Sequence, residues 1–440
     1  MEALGEIPNH WAVTNLKRVL SEPLKYGATE SGDESDPSNP RYLRITDFDG
    51  DGRLRNDTFV SLPEEIARHY YLRDGDVLFA RSGATVGKSF LFRNYSGRAC
   101  FAGYLIKAST ARHKLTPEFL TYFTRSPAYD AWKDSIFTQA TIQNIGADKY
   151  ARLPICLPPL PEQECIAAYL DASCAAIDTA VGAKRRQLET LDRLRSSIIS
   201  RAVTQGLNLH AAMNPSQLDW VSEVPAHWRV QQIKRLCRLV RGQFTHRPRN
   251  DPALYDGPYP FIQTGDITAA GKYIRTHSQT LNELGLIASK QFPRGTLVMS
   301  IAANIGDVAI LDFEACFPDS MIGMIPGHTT NLDFLYYLMR SMRSIMLRSA
   351  VQSTQLNLNY VRIGTNFAPV PPFKEQAAIA EYLDAKEHES HLISNTIETQ
   401  IATLIAYRKS LIHECVTGQR QVTEADINRV KVHGQEEATP

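Results

Sequence analysis

An internal duplication constrains this chain more than any other feature of its sequence. The segment EIPNHW at 6–11 returns 217 residues later as EVPAHW at 223–228. The strongest match ends each repeat: PPLPEQ at 158–163 corresponds to PPFKEQ at 371–376, and the match continues without gaps for more than forty residues. A period of about 215 residues is too long for a solenoid repeat, so each repeat must be a domain with an appended element.

Roughly the first 150 residues of each repeat predict a domain that mixes strands with short helices. Apolar runs at Asp76–Ala80 and Thr296–Ser300 each follow a glycine turn and are typical of strands. Segments at Pro117–Phe123 and Leu332–Leu338 are typical of short helices. The fold class indicated for each domain is therefore α/β (α+β), and the domain occurs twice.

After each Pro-Pro the pattern changes to one long helical stripe. Glu162–Thr204 contains no proline and only one glycine, and its apolar residues recur at spacings of three, four or seven, as they do in Glu375–Val416. A helix of 43 residues would be roughly 65 Å long and needs an equally long partner. We expect the two helices to pair antiparallel within one chain as a coiled coil; a coiled-coil dimer between chains is the alternative.

These patterns divide the chain into six segments. The predicted boundaries are 1–158 for the first domain, 159–206 for the first long helix, 207–222 for a short, turn-rich linker, 223–371 for the second domain, 372–422 for the second long helix and 423–440 for a C-terminal tail. Two equal domains on antiparallel helices would have an approximate two-fold axis, which suits the presentation of two similar surfaces to the two halves of a duplex.

Composition argues against several other classes of protein. The seven cysteines are scattered without metal-ligand spacing and are typical of reduced structural thiols, so we expect no metal. No apolar run approaches the ~20 residues of a membrane-spanning helix, and the N-terminus has no secretory pattern. We expect a soluble, cytoplasmic protein with no membrane partner.

The net charge is only +1, but it is distributed unevenly. Residues 223–370 carry 15 Lys and Arg against 10 Asp and Glu, whereas residues 375–416 carry 3 against 7. A basic module followed by an acidic helix indicates two kinds of partner, although enzymes that never touch DNA show imbalances of this size too.

The ordered and duplicated set of motifs resembles the specificity (S) subunits of type I restriction-modification enzymes. The set comprises a Pro-x-His-Trp opening, a Thr-x-x-Asn segment before Pro-Pro, and Glu-Gln at the head of a long helix, and it covers about Glu6–Val422. The resemblance implies that each target-recognition domain reads one half of a bipartite, asymmetric site in double-stranded DNA. It also implies that the helices bind two modification subunits, which methylate adenine, and that restriction (motor) subunits join the full complex.

Between the matched anchors the two repeats differ strongly. Arg53-Leu-Arg55 and Arg81-Ser-Gly-Ala have no convincing equivalent in the second repeat. Two unlike reading domains predict two unlike half-sites, whereas identical domains would read a palindrome.

Residues that could read DNA are those that offer paired donors or acceptors to base edges, chiefly Arg to guanine and Asn or Gln to adenine. In the first repeat they lie at predicted strand ends and in the loop before the last strand: Arg41, Arg44, Arg81, Ser82, Lys88, Gln143 and Asn144. In the second repeat they occupy comparable places: Arg247, Arg249, Gln263, Thr264, Asn304, Gln355 and Asn357. For any single residue, a solvated surface position or a turn-stabilising amide is the alternative. On the first long helix, four arginines are candidates for a partner surface, with solvated helix charges as the alternative: Arg185, Arg186, Arg193 and Arg195.

No motif in the chain predicts catalysis or a cofactor. Ser82–Ser89 falls one glycine short of a phosphate-binding loop, and the second repeat has Asp307 in the place of Lys88. The run Asp47-x-Asp49-x-Asp51-Gly52 begins like a calcium loop, but Thr58 stands where a glutamate is needed. There is no nucleophile elbow and no Asn-Pro-Pro-aromatic segment of an adenine methyltransferase, so the chemistry is expected from partner subunits.

Two other functions stay open on the sequence alone. A coiled-coil scaffold could display two ligand-binding domains with no role in DNA recognition. An intrinsic nuclease or methyltransferase would be active as the isolated chain, which the missing catalytic motifs argue against.

Overall fold

The computed structural model describes residues 5–32, 36–50, 52–137, 144–246, 248–302, 304–349 and 360–436. The chain divides into two compact units: unit 1 comprises Met1–Arg185 with Glu398–Pro440, and unit 2 comprises Arg186–Ile397. Each unit therefore contains the domain of one repeat, the first part of the long helix that follows this domain, and the last part of the other long helix.

Unit 1 is an α+β domain. Its strands are β1 (Ala12–Asn15), β2 (Lys25–Tyr26), β3 (Arg41–Leu43), β4 (Asp76–Ala80), β5 (Ser89–Phe92), β6 (Ala99–Phe101), β7 (Leu105–Ala108) and β8 (Pro154–Leu157). Its helices are α1 (Glu64–Ala67), α2 (Pro117–Phe123), α3 (Pro127–Phe137), α4 (Ala147–Ala151) and the first part of α5 (Leu160–Gln205). One sheet has the antiparallel order β2-β7-β4-β5, while β1 pairs with β8 antiparallel and β3 pairs with β6 in parallel.

Local sequence explains the central elements of this domain. All five residues of β4 are buried, and the strand follows Gly75, whose φ of 93° favours glycine. Helix α2 begins where the Thr116 side chain accepts a hydrogen bond from the Phe119 N–H and Pro117 takes a first-turn position. The predicted bounds of this strand and this helix are confirmed.

Unit 2 has the same kind of architecture with more strands. They are β9 (Met213–Leu218), β10 (Val221–Pro225), β11 (Arg229–Gln232), β12 (Cys237–Arg241), β13 (Tyr255–Phe261), β14 (Tyr273–Ile274), β15 (Gln279–Leu281), β16 (Gln291–Phe292), β17 (Leu297–Ser300), β18 (Val308–Leu311), β19 (Ala315–Cys316), β20 (Met321–Pro326) and β21 (Phe367–Val370). The helices are α6 (Ile233–Leu236), α7 (Thr264–Ala269), α8 (Glu283–Ala288), α9 (Leu332–Ser341), α10 (Arg343–Ser349), α11 (Tyr360–Thr365) and the first part of α12 (Phe373–Val416). The two main sheets have the orders β12-β20-β17-β18-β14 and β15-β13-β19-β16, and β11 pairs with β21 as β1 does with β8.

The two long helices run without interruption. Helix α5 has 46 residues and α12 has 44, so each is roughly 65–70 Å long at 1.5 Å per residue. In unit 1 the Asp178 carboxylate of α5 pairs with Arg408 of α12, while Cys165 lies beside the Val422 carbonyl. The numbering rises along one segment as it falls along the other, so the predicted antiparallel packing within one chain is confirmed in this unit.

In unit 2 the last part of α5 packs on the first part of α12. Arg195 forms a bidentate ion pair with Glu387, and Gly206 lies against the Glu375 carboxylate, so these segments are antiparallel as well. Arg340 donates a further hydrogen bond to Glu387 at 3.1 Å. The expectation that Arg195 is an exposed partner-binding candidate is wrong, because its side chain is only 26% exposed and is held by an acid of its own chain.

A buried glutamine ties each domain to its long helix. The Gln163 Oε1 accepts the Thr116 N–H at 2.9 Å, and its Nε2 donates to the carbonyls of Lys114 and Pro158 at 2.8 Å. Gln376 makes the equivalent three contacts in unit 2, with Asn331, Thr329 and Pro371. The duplicated Glu-Gln motif is thus explained by backbone groups that only an amide can satisfy together, since it both donates and accepts.

The residue before each of these glutamines binds the matched histidine at the start of the domain. Glu162 lies 3.0 Å from the His10 Nε2 and accepts the Trp11 indole N–H at 3.1 Å. In unit 2 the His227 Nε2 lies 2.9 Å from the Glu375 carboxylate. These contacts give the histidine-tryptophan pairs a structural role at the start of each domain.

Helix α5 is also the one helix of the described chain that is long and apolar enough to cross a membrane by composition, with a window of mean hydropathy 1.3. No such segment was expected from the sequence. Close to half of this window is buried inside the protein, and two acids of the helix have partners in unit 1: Asp171 accepts a hydrogen bond from the Tyr122 hydroxyl, and Asp178 pairs with Arg408. A core helix of a soluble protein meets the same composition test, and these contacts are typical of one.

Two segments have more structure than the sequence predicted. The linker at 207–222 contains most of a hairpin, because β9 pairs antiparallel with β10 across a short turn. The tail beyond Val422 forms helix α13 (Glu424–Glu436), whose Ile427 packs against the unit 1 core. Its start is stabilised by reciprocal bonds between Thr423 and Asp426, a capping signal visible in the sequence.

Candidate nucleic-acid interface

In unit 1 the loop that follows β6 gathers several of the expected residues. The Arg81 N–H donates to the Tyr104 carbonyl at 3.0 Å, and the Arg81 guanidinium lies 4.7 Å from the centre of the Tyr26 ring. Tyr26 is 42% exposed and Tyr104 is 68% exposed. A guanidinium held on an aromatic face beside an exposed tyrosine is suited to bind phosphate or to stack on a base.

Ser82 and Asn144 lie beside Arg81. The two residues form an isolated antiparallel bridge, and the Ile145 N–H donates to the Arg81 carbonyl at 2.9 Å. The Asn144 Oδ1 is buried and has no hydrogen-bond partner among the described residues. The structure therefore brings three expected residues together at one edge of unit 1, and Lys88 is exposed at the end of the same turn.

Arg41 does not reach this surface. The residue is only 4% exposed, and its Nη2 donates to the carbonyls of Arg55 at 2.5 Å and Thr58 at 2.6 Å. Its guanidinium holds the 55–58 loop against β3. Arg41 therefore stabilises the fold, and its buried guanidinium is not available to bind DNA in this structure.

Arg44 directly follows β3, and its side chain is 40% exposed. Its backbone N–H donates to the Asp47 Oδ2 at 2.7 Å, and its Nε reaches the same oxygen at 3.2 Å. Burial of Asp47 acts to raise the pKa of this carboxyl, but hydrogen bonds from Arg44 and Thr58 outweigh burial and lower the pKa. The ionised carboxylate therefore orients the arginine.

Gln263 occupies the corresponding place after β13 in unit 2. Its N–H donates to the Asp266 Oδ2 at 2.7 Å, and its Nε2 donates to the Gln279 Oε1 at 3.0 Å. A surface cavity of about 340 Å³ opens beside it and is also lined by Arg249 and Asn250. The cavity thus collects amide and guanidinium groups at one place.

Arg249 is held at the rim of this cavity. Its Nη2 donates to the Asp319 Oδ1 at 2.5 Å, its carbonyl accepts the Tyr255 hydroxyl, and its side chain is 47% exposed. Nearly half of the Arg249 side-chain surface thus remains open to solvent.

Thr264 and Asn304 lie in a second polar patch of unit 2. The Asn304 Nδ2 donates to the Thr268 hydroxyl at 2.8 Å, and this hydroxyl lies 3.2 Å from the Thr264 carbonyl. The Thr268 hydroxyl is also 2.9 Å from the Asp307 carboxylate. Helix α7 and the turn after β17 are joined by this network.

The turns after β4 and β17 correct one expectation, because the loop that begins at Arg81 does have a structural equivalent in the second repeat. In unit 1 the Ala80 N–H donates to the Lys88 carbonyl at 2.8 Å, and in unit 2 the Ser300 N–H donates to the Asp307 carbonyl at 2.9 Å. Gly87 and Gly306 close the turns with φ of 86° and 83°. The closing hydrogen bonds and the glycine are shared, although the second turn is one residue shorter and the side chains differ, and Asp307 does stand in the place of Lys88.

Four expected residues lie outside the described part of the chain: Gln143, Arg247, Gln355 and Asn357. Their proposed role in DNA binding stays a prediction.

Several residues of these surfaces escaped the sequence analysis, namely Tyr26, Tyr104, Gln279 and Asn250. A signal existed for the tyrosines, since each adjoins a glycine: Gly27 follows Tyr26 and Gly103 precedes Tyr104. A side chain at Gly27 would meet the Phe101 carbonyl at 2.2 Å, so the close backbone approach that exposes Tyr26 requires glycine. Gln279 had no comparable signal, because only strand pairing brings it to Gln263.

The thiols give no sign of chemistry. All seven cysteines are free, and burial raises the pKa of Cys100 and of Cys237 to about 12, which disfavours the reactive thiolate. In the described ranges no group of three or more His, Cys, Asp or Glu is placed to hold a metal ion.

The type I restriction modification DNA specificity domain family matches this chain at residues 11–190 and again at 225–403. The chain therefore belongs to this family and carries its domain twice. The resemblance to specificity subunits seen in the sequence is confirmed.

Individual relatives agree with this assignment. The chain is 26% identical over 397 residues to the type I restriction enzyme MjaX specificity subunit of Methanocaldococcus jannaschii, covering 87% of this chain and 88% of that protein. It is 27% identical over 194 residues to the EcoKI specificity subunit of Escherichia coli K12, covering 43% and 41%.

Two solved structures share the fold. A chain from a structure of a type I R-M system, described for its complex assembly and conformational transition, superposes with a TM-score of 0.72 at 16% identity over 93% of this chain and 98% of that one. The HsdS subunit from Thermoanaerobacter tengcongensis superposes with a TM-score of 0.54 at 17% identity over 94% and 98%. Duplicated α+β domains joined by long helices are thus an established architecture.

Proposed function

We propose that this protein is the DNA-reading specificity subunit of a type I restriction-modification complex and that each of its recognition domains reads one half of a bipartite, asymmetric site in double-stranded DNA. The observation that carries this proposal is a shared backbone with different surface side chains. The turn after β4 carries Arg81 and the exposed Lys88, whereas the related turn after β17 has Asp307 and the buried Ile301 at these positions. Two domains with similar backbones but different side chains are suited to reading two different DNA sequences.

The long helices bind two modification subunits in this proposal. Leu194 of unit 2 is 54% exposed, and Tyr407 of unit 1 is 50% exposed. The two residues stand at matched positions of the repeats, each directly before its paired arginine, Arg195 or Arg408. Each unit thus leaves large apolar side chains open on its helices, and this matched pair favours one partner on each unit.

The chain contributes recognition rather than chemistry. Adenine methylation and ATP-dependent cleavage belong to the modification and restriction subunits, the chain itself needs no cofactor, and the complex works in the cytoplasm. The absence of a nucleophile elbow and of a methyltransferase segment from the sequence supports this division. The domain boundaries proposed are those derived from the sequence, with the readers at 1–158 and 223–371.

Exchange of one reading domain tests the proposal. Residues 20–150 or 240–365 are replaced by those of a homologous subunit with a different site, and the chimera is purified with its modification and restriction subunits. Methylated adenines are then mapped by sequencing. We expect each exchange to change one half-site and leave the other intact; methylation that ignores both exchanges would overturn the assignment.

Salt dependence separates a DNA reader from a scaffold. Because neutralised phosphates release counterions, binding to a duplex should weaken steeply between 50 and 200 mM salt, by about 10³-fold or more for six phosphate contacts. A scaffold without a DNA role binds no duplex at either salt concentration. Methyltransferase or nuclease activity of the isolated chain would contradict the division of labour.

A further inference from the structure

Two residues stand at one equivalent position of the two domains and carry different base-reading chemistry. Strand β3 pairs in parallel with β6, where Tyr42 is opposite Cys100, and β13 pairs in parallel with β19, where Phe261 is opposite Cys316. The paired strands contain the same tripeptide, Ala-Cys-Phe, at 99–101 and 315–317. This registers Arg44, two residues after Tyr42, with Gln263, two residues after Phe261.

The turn that follows each position has the same hydrogen bonds. The Arg44 N–H donates to the Asp47 carboxylate at 2.7 Å, and the Gln263 N–H donates to the Asp266 carboxylate at 2.7 Å. The reverse bond, from the N–H of each aspartate to the carbonyl of Arg44 or Gln263, is 3.0 Å in both units. The two side chains therefore leave the same backbone frame in the same direction.

Neighbouring groups orient the end of each side chain but leave some of its hydrogen-bonding groups without a partner among the described residues. The Arg44 Nε and Nη2 lie 3.2 and 3.4 Å from the two Asp47 oxygens, so an acid with 1% exposure fixes the guanidinium plane of a side chain that is 40% exposed. Three of its five N–H donors remain for another partner. The Gln263 Nε2 donates one hydrogen to Gln279, which leaves its second hydrogen for another partner, and the Gln263 side chain lines the cavity.

We propose that Arg44 and Gln263 are the equivalent specificity-determining residues of the two recognition domains, with Arg44 reading guanine in one half-site and Gln263 reading adenine in the other. Arginine pairs with the O6 and N7 of guanine through two donors, whereas glutamine pairs with the N6 and N7 of adenine through one acceptor and one donor. Because arginine stands at this position in one domain and glutamine in the other, two domains of the same fold would recognise an asymmetric DNA site. The proposal rests on the proposed function, since it assigns residues within the two readers.

Reciprocal substitution tests the pair in the assembled complex. Arg44→Gln and Gln263→Arg are purified with the modification subunits, and the methylated adenines of each complex are mapped on a plasmid library with randomised half-sites. We expect Arg44→Gln to turn one guanine preference into adenine in a single half-site, and Gln263→Arg to do the reverse in the other. The ratio between the two bases should change by roughly 5- to 150-fold at that position.

Two controls keep the result interpretable. Arg44→Lys keeps the charge but loses the planar pair of donors, so it should lose guanine discrimination while keeping the affinity of a phosphate contact. Arg68→Gln removes the same charge from an exposed arginine that follows α1 and should leave the half-site unchanged. Thermal unfolding of each variant establishes that the Asp47 turn is intact.

The failure of this inference differs from failure of the proposed function. If Arg44→Gln weakens methylation of all sites equally, with no change of base preference, Arg44 is a phosphate contact and the inference is overturned while the domain-exchange result stands. If the domain exchanges leave the methylated site unchanged as well, the function itself is wrong. Equal behaviour of Arg44→Gln and Arg68→Gln would also overturn the inference.

Discussion

Arg408 of helix α12 donates a hydrogen bond to Asp178 of helix α5 at 2.8 Å within unit 1. Its repeat partner Arg195 pairs with Glu387 in unit 2, so one arginine of each repeat binds an acid supplied by the other repeat's helix. The side chains involved are each less than one-third exposed. Each unit is thus completed by an ion pair between helices from different halves of the sequence.

Removal of Glu387 should destabilise unit 2. Glu387→Ala leaves Arg195 and Arg340 together without a counter-charge, and we expect the free energy of unfolding to fall by about 2 kcal/mol in view of the partial exposure. Glu389→Ala is the matched control, because its carboxylate pairs with Lys386 on the surface and is 59% exposed, and it should cost less than about 0.5 kcal/mol. Urea denaturation followed by circular dichroism measures both; equal losses would contradict the prediction.

Replacement of the polar, buried Gln163 by an apolar residue should lower the free energy of unfolding. Gln163→Leu leaves the Thr116 N–H and the carbonyls of Lys114 and Pro158 buried without their partner, and we expect a loss of about 3 kcal/mol. Gln187→Leu makes the same change at an exposed position of α5 and should be nearly neutral. Thermal unfolding of the two variants distinguishes them, and an unchanged melting temperature for Gln163→Leu would refute this account of the motif.

Acid should weaken unit 1 through Glu22. A hydrogen bond from Lys25 lowers the pKa of this carboxyl from 4.5 to about 2; burial opposes that effect, while Lys107 and Ser109 add to it. The resulting stability is present above pH 4.5 and is lost as the pH falls towards 2, because the unfolded chain then binds a proton that the folded chain does not.

Glu22→Gln should therefore be less stable than the unmodified chain at pH 7, by about 1–2 kcal/mol, and the gap should close near pH 2–3. Glu65→Gln, at an exposed position of α1, is the control with no expected gap. Denaturation at a series of pH values tests this, and a gap that stays constant with pH would assign Glu22 a role other than its charge.

The matched apolar residues of the helices should each hold one partner. We expect Leu194→Ser and Tyr407→Ser each to reduce the modification subunits in the complex from two to one, since each removes the exposed apolar side chain at the matched position of one unit. Leu284→Ser, which changes a 59% exposed leucine of α8, should leave the stoichiometry at two. Native mass spectrometry counts the subunits; loss of both partners from either single variant would argue against one site on each unit.

Much of the architecture was predictable because its signals are local or repeated. The helical stripes of α5 and α12, the strand β4 and the start of α2 each depend on neighbouring residues in the chain. The candidate surface was harder to predict, because arginines that look alike in the sequence are placed differently. Arg44 keeps an exposed guanidinium, whereas Arg41, three residues earlier, is 4% exposed and binds backbone carbonyls.

By itself, the sequence determined that the protein consists of two like domains, each followed by a long helix, because duplication and periodicity are written in consecutive residues. Only the tertiary structure decided how closely the turns at 80–88 and 300–307 match and that Arg44 corresponds to Gln263. These correspondences depend on which strands pair and which carboxylate meets which N–H, and such contacts join residues far apart in the chain.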